Sequence, residues 1–183
     1  MKTKILLLMF ILATCVGASA QKCNLQGVVQ YYHNKYVGYK LDVGAEVYLI
    51  SVKNAKNINI EQWNSYENLA KKYYTYCENK QEGFNEKESR FIANFWDEDE
   101  NRLKDLDAKC SSQYLSISED FEFIALVDNS GKYELSVPYG EYYIFVKSKH
   151  RDRPLTTESL GRILAKKVKL EKPTKLISFD FDK

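Results

Sequence analysis

The chain has 183 residues, of which 27 are basic and 25 are acidic. Two of the lysines, Lys2 and Lys4, lie at the extreme N-terminus, and the chain beyond them carries equal numbers of basic and acidic residues. A chain without excess positive charge lacks the attraction for phosphates on which nucleic-acid binding depends. The composition therefore argues against a nucleic-acid partner, and the length suits one domain with a sizeable core.

The first 20 residues have the pattern of a secretory signal peptide. Two lysines precede an apolar run over residues 5–12, and Ala18-Ser19-Ala20 resembles a small-residue cleavage site. The run is too short to span a membrane. We therefore expect a single domain over residues 21–183 that is exported, to the periplasm or outside a bacterial cell.

A lipid tether is the alternative interpretation of the same segment. Residues 12–15 can be aligned with a lipobox, in which Cys15 would be lipidated after cleavage. Thr14 fits the position before the cysteine poorly, so simple cleavage is favoured. No second long apolar run follows, and the mature protein is expected to have no transmembrane segment.

Two strands are predicted in the first third of the mature chain. Residues 26–32 and 44–52 are rich in valine, tyrosine and other residues typical of strands. The segment between them, residues 33–43, is predicted to be a polar loop that carries Tyr36 and Tyr39.

An antiparallel helical hairpin is predicted over residues 57–112. Asn59 with Gln62, and Asn85 with Glu88, each match a helix N-cap and its third-position partner. Apolar side chains then recur at three- and four-residue spacing, which indicates one buried face on each helix. These are Trp63, Tyr66, Ala70, Tyr73 and Cys77 in the first helix, and Ile92, Phe95, Trp96, Leu103, Leu106 and Cys110 in the second.

Strands are predicted again after the hairpin, for a total of about seven. Asp128-Asn129-Ser130-Gly131 predicts a tight turn, and the next strand alternates apolar and polar residues until Pro138-Tyr139-Gly140 ends it. The predicted strands of this half are residues 122–127, 133–137, 142–146, 162–170 and 175–181.

Four short motifs in this order resemble the carboxypeptidase regulatory-like domain. They are Gly27-Val28-Val29, Gly44-Ala45-Glu46-Val47, Asp128 to Tyr133, and Pro138-Tyr139-Gly140-Glu141-Tyr142. The resemblance covers residues 22–53 and 120–182, and it implies a seven-stranded antiparallel transthyretin-like sandwich. The helical hairpin between its second and third strands departs from the usual pattern. Members of this family are mostly non-catalytic modules, so the resemblance implies an architecture rather than an activity.

Three cysteines would remain after cleavage, namely Cys23, Cys77 and Cys110. Export permits disulfides, and an odd number leaves at least one thiol unpaired in a monomer. If the first two strands form a hairpin, Cys23 lies at the sheet end where the helices leave and return, near Cys110. Cys77 would lie far away, towards the tip of the helices. A Cys23–Cys110 disulfide is therefore predicted, with three reduced cysteines as the alternative.

No pattern of catalytic or metal-ligating residues stands out. The two histidines, His33 and His150, are far apart and are expected to be solvated loop residues, so neither a metal site nor a cofactor is predicted. The acidic run 97–101 lacks the glycine and glutamate of a calcium loop, because Arg102 and Ala108 occupy those positions. Phosphate-loop and nucleophile-elbow motifs are also absent from the sequence.

The sequence therefore favours an exported, non-catalytic sandwich that binds a protein or a glycan. Tyr36 and Tyr39 are the predicted ligand-binding residues, since exposed tyrosine offers apolar area with a hydrogen-bonding tip. Tyr31 and Tyr32 are expected to serve packing instead. The alternative function is a hydrolase whose site lies between the helical insertion and the sandwich, and a third is a lipid-tethered assembly factor.

Overall fold

The computed structural model describes residues 21–82, 86–154 and 161–182, with side chains described for 21–75, 99–154 and 161–182. The predicted signal peptide, the lipobox around Cys15, the helix cap at Asn85 and the side chain of Cys77 lie outside these residues. Within them, no helix combines the length and the apolar character needed to cross a membrane.

The described residues form nine strands and two helices. In chain order these are β1 (Lys22–Asn34), β2 (Gly38–Leu41), β3 (Glu46–Ser51), α1 (Ile60–Glu82), α2 (Glu86–Ile117), β4 (Phe123–Leu126), β5 (Lys132–Pro138), β6 (Gly140–Asp152), β7 (Gly161–Leu170), β8 (Thr174–Leu176) and β9 (Phe179–Phe181). The protein is thus mainly β, and the helices fall between β3 and β4, where the sequence predicts them.

The strands form two sheets, as in a β-sandwich. Strands β4, β3, β6 and β7 follow one another in an antiparallel four-stranded sheet. The five-stranded sheet is built around β1, which pairs antiparallel with β2 and β5. The same strand pairs parallel with β8 and β9.

Two features of the five-stranded sheet differ from the prediction of seven antiparallel strands. The predicted loop 33–43 contains a further strand, β2, because Gly38 takes a φ of 75° and the Asn34 side chain accepts two backbone N–H bonds in the turn. The predicted last strand is divided at Ile177 into β8 and β9, and it runs parallel to β1 rather than antiparallel.

Alternation along the strands builds the core between the sheets. Val47, Ile144 and Leu164 of the four-stranded sheet face Leu25 and other inward residues of the five-stranded sheet, and all are buried. Further members of this core are Cys23, Val29, Leu49, Tyr133, Val137, Val146, Phe179 and Phe181. The predicted half-buried strand after the turn is confirmed by the burial of Tyr133 and Val137.

A second core lies on the other face of the four-stranded sheet. Ile50, Phe145 and Ala165 alternate with the residues of the first core and pack against the helices. The helical side of this second core consists of Trp63, Tyr66, Leu69, Ala70, Leu103, Leu106, Cys110 and Ile117. The four-stranded sheet is therefore the middle layer between the other sheet and the helical hairpin.

Side-chain contacts show that the two helices are antiparallel and how the first one begins. The indole Nε1 of Trp63 donates to Gln113 Oε1 (3.2 Å), and further along Lys72 pairs with Asp99 (3.4 Å).

Asn59 Oδ1 accepts the N–H of Gln62 (3.2 Å), which confirms the predicted cap. The Asn59 N–H in turn donates to Gln113 Oε1 of α2 (2.9 Å), so the second helix, rather than the predicted Gln62, completes the cap of the first.

The turn before β5 forms as predicted. Asp128 Oδ1 accepts hydrogen bonds from the N–H groups of Ser130 (2.8 Å) and Lys132 (2.9 Å). Gly131 closes the turn with a φ of 73°, a left-handed conformation that glycine adopts without steric cost.

The predicted Cys23–Cys110 disulfide is not present in the structure. Both cysteines are buried and free. Cys23 belongs to the core between the sheets and Cys110 to the core under the helices, so the four-stranded sheet separates them. The prediction placed both at one end of a sheet but did not foresee that the hairpin folds down over its outer face.

Candidate binding site

The β1–β2 hairpin presents an apolar surface to solvent. Tyr36 is 86% exposed and Tyr39 is 47% exposed, and Val37 and Leu41 between and beside them are also exposed. The Lys35 ammonium lies 5.4 Å from the centre of the Tyr36 ring, a cation–π distance. Both residues predicted to bind a ligand are therefore accessible to solvent.

The two preceding tyrosines pack, as expected for them. Tyr32 is buried, and its ring meets the Tyr39 ring edge-on at 5.6 Å. Tyr31 packs against the sandwich core and stacks on the His150 ring at 5.1 Å. The packing of Tyr32 supports the Tyr39 ring from beneath.

Tyr39 is also fixed through its hydroxyl group, which donates to Asp182 Oδ1. This hydrogen bond to a carboxylate raises the pKa of Tyr39 to about 12. Asp182 in turn pairs with Lys71 of α1 at 2.9 Å. Burial by itself would raise the pKa of Asp182, but the bonds from Lys71 and Tyr39 lower it, which keeps the carboxylate charged.

Asp182 lines a cleft at the junction of α1 with the β7 and β9 edges of the sandwich. The cleft has a volume of about 230 Å³. Its walls are Trp63, Asn64, Glu67 and Lys71 from α1, Leu164, Ala165 and Lys166 from β7, and Ser178, Asp180 and Asp182 from the C-terminal strand region. We call it the junction cleft.

A fully buried arginine bonds two residues that line the junction cleft, Glu67 and Asp182. Arg162 donates from Nη2 to Glu67 Oε1 and from Nη1 to the backbone carbonyl of Asp182 at 2.7 Å. Burial raises the pKa of Glu67, and the guanidinium of Arg162 opposes that rise. Glu67 Oε2 is enclosed and has no hydrogen-bond partner among the described residues.

The opposite wall carries a lysine in an unusual setting. Burial lowers the pKa of Lys166, whose Nζ donates to the Ser178 carbonyl (3.2 Å) and lies 4.3 Å from the Phe179 ring centre. Ser178 Oγ accepts the Val28 N–H at 3.2 Å, and Asp180 accepts a bond from Gln30 at 2.9 Å. The cleft therefore presents carboxylate, ammonium, amide and hydroxyl groups within one small volume.

Both histidines are solvent-exposed, as expected, but each lies in a strand rather than in a loop. His150 is not in a loop: it lies near the end of β6, and its Nδ1 is 2.7 Å from the buried Asp42 carboxylate. His33 is exposed, at the end of β1.

Sequence reasoning did not identify the lining residues of the junction cleft. Glu67, Lys166 and Asp182 come from three segments separated by long stretches of chain, and no spacing rule links them. The only signal was the expectation that a site would lie where the insertion meets the sandwich.

Comparison with known proteins adds little. No family model and no curated protein matches the chain, so membership in the carboxypeptidase regulatory-like family stays a prediction. Similar solved structures include a protein of Pseudomonas aeruginosa described as a candidate carbohydrate-binding protein, 8% identical over 91% of this chain and 93% of that one, with a TM-score of 0.41.

Two structures of pilus proteins from Streptococcus pneumoniae are also similar. The pilus backbone is 13% identical over 80% of this chain and 33% of that chain, with a TM-score of 0.27. The full-length major pilin is 10% identical over 87% of this chain and 30% of that chain, with a TM-score of 0.29. With TM-scores this low, none of the three likenesses decides the fold or the function of this chain.

Proposed function

We propose that this protein is a non-catalytic binding module that holds a sugar residue of a glycan in the junction cleft, with Tyr39 at the rim. One observation carries the proposal: the half-exposed Tyr39 is bonded through its hydroxyl to Asp182, which lines a small cleft rich in charged and amide groups. Its place outside the cytoplasm rests on the predicted signal peptide, residues 1–20.

The chemistry of the site matches that of a sugar. A sugar ring has an apolar C–H face, which packs on an aromatic ring, and hydroxyl groups, which bond to carboxylates, amides and ammonium groups. Tyr39 supplies the ring, and Asn64, Asp180 and Lys71 supply the polar groups. The rigid support of Tyr39 by Tyr32 and Asp182 lowers the entropy lost on binding.

The size of the junction cleft limits what can enter it. Its volume of about 230 Å³ lies below the range of roughly 300–1,000 Å³ typical of sites that enclose a whole small ligand. The cleft thus suits one ring of a longer chain, whose remainder would lie over the exposed hairpin towards Tyr36.

The carboxylates of the cleft are arranged for binding rather than for acid–base catalysis. Asp182 is held by Lys71 and Tyr39, and Asp180 by Gln30. Glu67, the carboxyl group with the raised pKa, bonds Arg162 through one oxygen, and its other oxygen is enclosed. A general acid must reach its substrate directly or through one water, and the engagement of these carboxylates with protein partners supports a binding role instead.

A hydrolase is the second candidate function, and Lys166 is the observation that favours it. A lysine with a lowered pKa can act as the base for a serine nucleophile, and Ser178 lies in the same cleft. Lys166 Nζ bonds the Ser178 backbone carbonyl, so it would have to turn towards the hydroxyl. Mass analysis of an O-acetylated oligosaccharide before and after incubation separates the two functions, since a serine–lysine hydrolase transfers the acetyl group to serine and then to water, releasing acetate, whereas a binding module leaves the ligand intact.

The binding proposal is tested by titrating the purified protein with a panel of oligosaccharides, followed by amide NMR. We expect a saturable ligand to shift the signals of Tyr39, Lys71 and Asp182. Tyr39→Ala should weaken binding about tenfold or more, because it removes both the ring and the bond to Asp182. Tyr39→Phe, which keeps the ring, should retain most of the affinity.

The matched control is Leu176→Ala, which truncates a side chain that is 73% exposed and does not line the junction cleft. Absence of saturable binding across the panel, or equal affinity of the Tyr39→Ala and Leu176→Ala variants, contradicts the proposal. Binding of a protein instead, lost on truncation of Val37 and Leu41, would place the function on the hairpin alone.

A further inference from the structure

The strand β6 changes its pairing near its end, and two buried side chains hold the irregular segment. The register with β7 shifts between Lys147 and Asp152. Within that segment, Ser148 Oγ donates to Asp42 Oδ2 (2.5 Å) and accepts the N–H of Arg151 (2.9 Å). Asp42 Oδ1 also accepts the Lys149 N–H at 3.1 Å. Such a bulge re-aims the side chains that follow it.

The re-aimed segment places an arginine on an aromatic ring of α1. The Arg151 guanidinium carbon lies 4.6 Å from the centre of the Tyr74 ring, and that of Arg162 lies 4.8 Å from the same centre. The Tyr74 hydroxyl donates to the backbone carbonyl of Asp152, which fixes the ring. Arg151 is thus held in one orientation, with a second guanidinium contacting the same ring.

Among the described residues, Arg151 differs from its neighbouring arginines in having no acidic partner. Arg153 pairs with Asp107 at 3.3 Å, and Arg162 pairs with Glu67. Within the described part of the chain, no carboxylate lies within ion-pair distance of the Arg151 guanidinium. Its charge is therefore not neutralised by a direct contact with any described carboxylate.

An open cleft of about 370 Å³ lies beside this arginine, on residues from α1 and the end of β6. Its walls include Tyr73, Tyr74, His150, Arg151, Asp152 and Arg153. The His150 imidazole on these walls is held by Asp42 at Nδ1. Asp152 is the one acidic side chain among these walls, and it opposes an anion.

We propose that this cleft binds an oxyanion, a phosphate or sulfate group, through the Arg151 guanidinium. The planar fork of a guanidinium matches two oxygens of such a group, and its fixed stacking on Tyr74 reduces the entropy lost on binding. Arg153 lies on the same walls as a further donor. The walls of this cleft share no residue with the walls of the junction cleft, so the two sites are separate.

The test is an amide NMR titration of the purified protein at low salt with inorganic phosphate, inorganic sulfate and glucose 6-phosphate. We expect saturable shifts confined to Tyr74 and residues 150–153. Arg151→Gln should weaken binding about tenfold or more, since a hydrogen bond to a charged group is lost. Tighter binding of glucose 6-phosphate than of phosphate would identify an organic phosphate as the ligand, and equal binding a free ion.

Arg102→Gln is the matched control, because Arg102 is an exposed arginine of α2 and its loss changes the net charge equally. It should leave the affinity unchanged within about twofold. If the NMR spectrum shows that the Arg151→Gln variant is unfolded, the Arg151→Lys variant is used in its place. We expect this variant to bind the anion measurably but more weakly than the unsubstituted protein. No saturable shift with any of the three anions, or equal weakening by the Arg102 and Arg151 variants, overturns the proposal.

Discussion

Four polar side chains are buried in the described part of the molecule, and each organises a junction. They are Asp42, Ser51, Ser148 and Arg162. Arg162 joins α1 to the C-terminal segment, and Asp42 joins the segment after β2 to the end of β6. Buried polar groups are costly unless bonded, so these residues fix one arrangement of segments that apolar packing alone would leave free to slide.

Removing the Asp42 carboxylate should therefore destabilise the protein strongly. Asp42→Ala leaves the Ser148 hydroxyl, the Lys149 N–H and His150 Nδ1 without their acceptor. We expect a loss of about 3 kcal/mol in the free energy of unfolding, measured with urea.

The control for this prediction is Asp105→Ala, which removes an exposed aspartate of α2 whose one ion pair among the described residues is with Lys109. It should change the free energy of unfolding by less than about 0.5 kcal/mol. Equal effects of the two substitutions would show that Asp42 has no organising role.

Among the described elements, β1 pairs with the largest number of other strands. It pairs with β5 and β2 on antiparallel registers and with β8 and β9 on parallel ones. The crossing from β8 to β9 passes so close to β1 that a Cβ at Gly27 would lie 1.7 Å from the Ile177 carbonyl oxygen. The glycine of the predicted opening strand is therefore required by a close approach of backbone, not by a turn.

Gly27→Ala should disrupt this crossing. Its methyl group would overlap the Ile177 carbonyl, which also accepts the Tyr133 hydroxyl bond at 2.6 Å. We expect a loss of about 3 kcal/mol or more in urea-induced unfolding, because backbone must move.

Gly38→Ala is the comparison, since the two glycines are needed for different reasons. Gly38 has a φ of 75°, but no heavy atom of a described residue lies within 4 Å of its added Cβ. Its substitution should cost only the left-handed backbone strain, about 1–2 kcal/mol. A larger loss at Gly38 than at Gly27 would contradict this assignment.

For the whole molecule, the shared middle sheet couples the helical insertion to the sandwich. Phe145 of β6 packs against Trp63 of α1 at 5.5 Å, while its neighbours Ile144 and Val146 face the core between the sheets. A strand that serves both cores cannot lose one of them and keep the other intact.

We therefore expect the insertion and the sandwich to unfold together in urea. Both tryptophans, Trp63 and Trp96, lie in the helical segment, so tryptophan fluorescence reports on the insertion and the amide signals of β1 report on the sandwich. The two midpoints should coincide. Phe145→Ala should lower both midpoints equally, with a loss of about 3–5 kcal/mol in the free energy of unfolding. A loss of fluorescence at lower urea than the loss of the β1 signals would show independent unfolding.

The sequence by itself determined the local structure, because local structure depends on residues close together in the chain. Period-two alternation gave the strands around Tyr133 and Val137, helical spacing gave the buried face with Trp63 and Leu103, and the turn at Asp128 follows from its own side-chain chemistry. These features are confirmed, as is the mainly β architecture with helices between β3 and β4.

Only the tertiary structure decided which distant residues meet. The parallel pairing of β8 and β9 with β1, the separation of Cys23 from Cys110 and the grouping of Glu67 with Asp182 each depend on how layers stack. Stacking is set by long-range packing, which the period of a segment does not encode: an apolar face must be buried, but its pattern does not specify the surface that covers it.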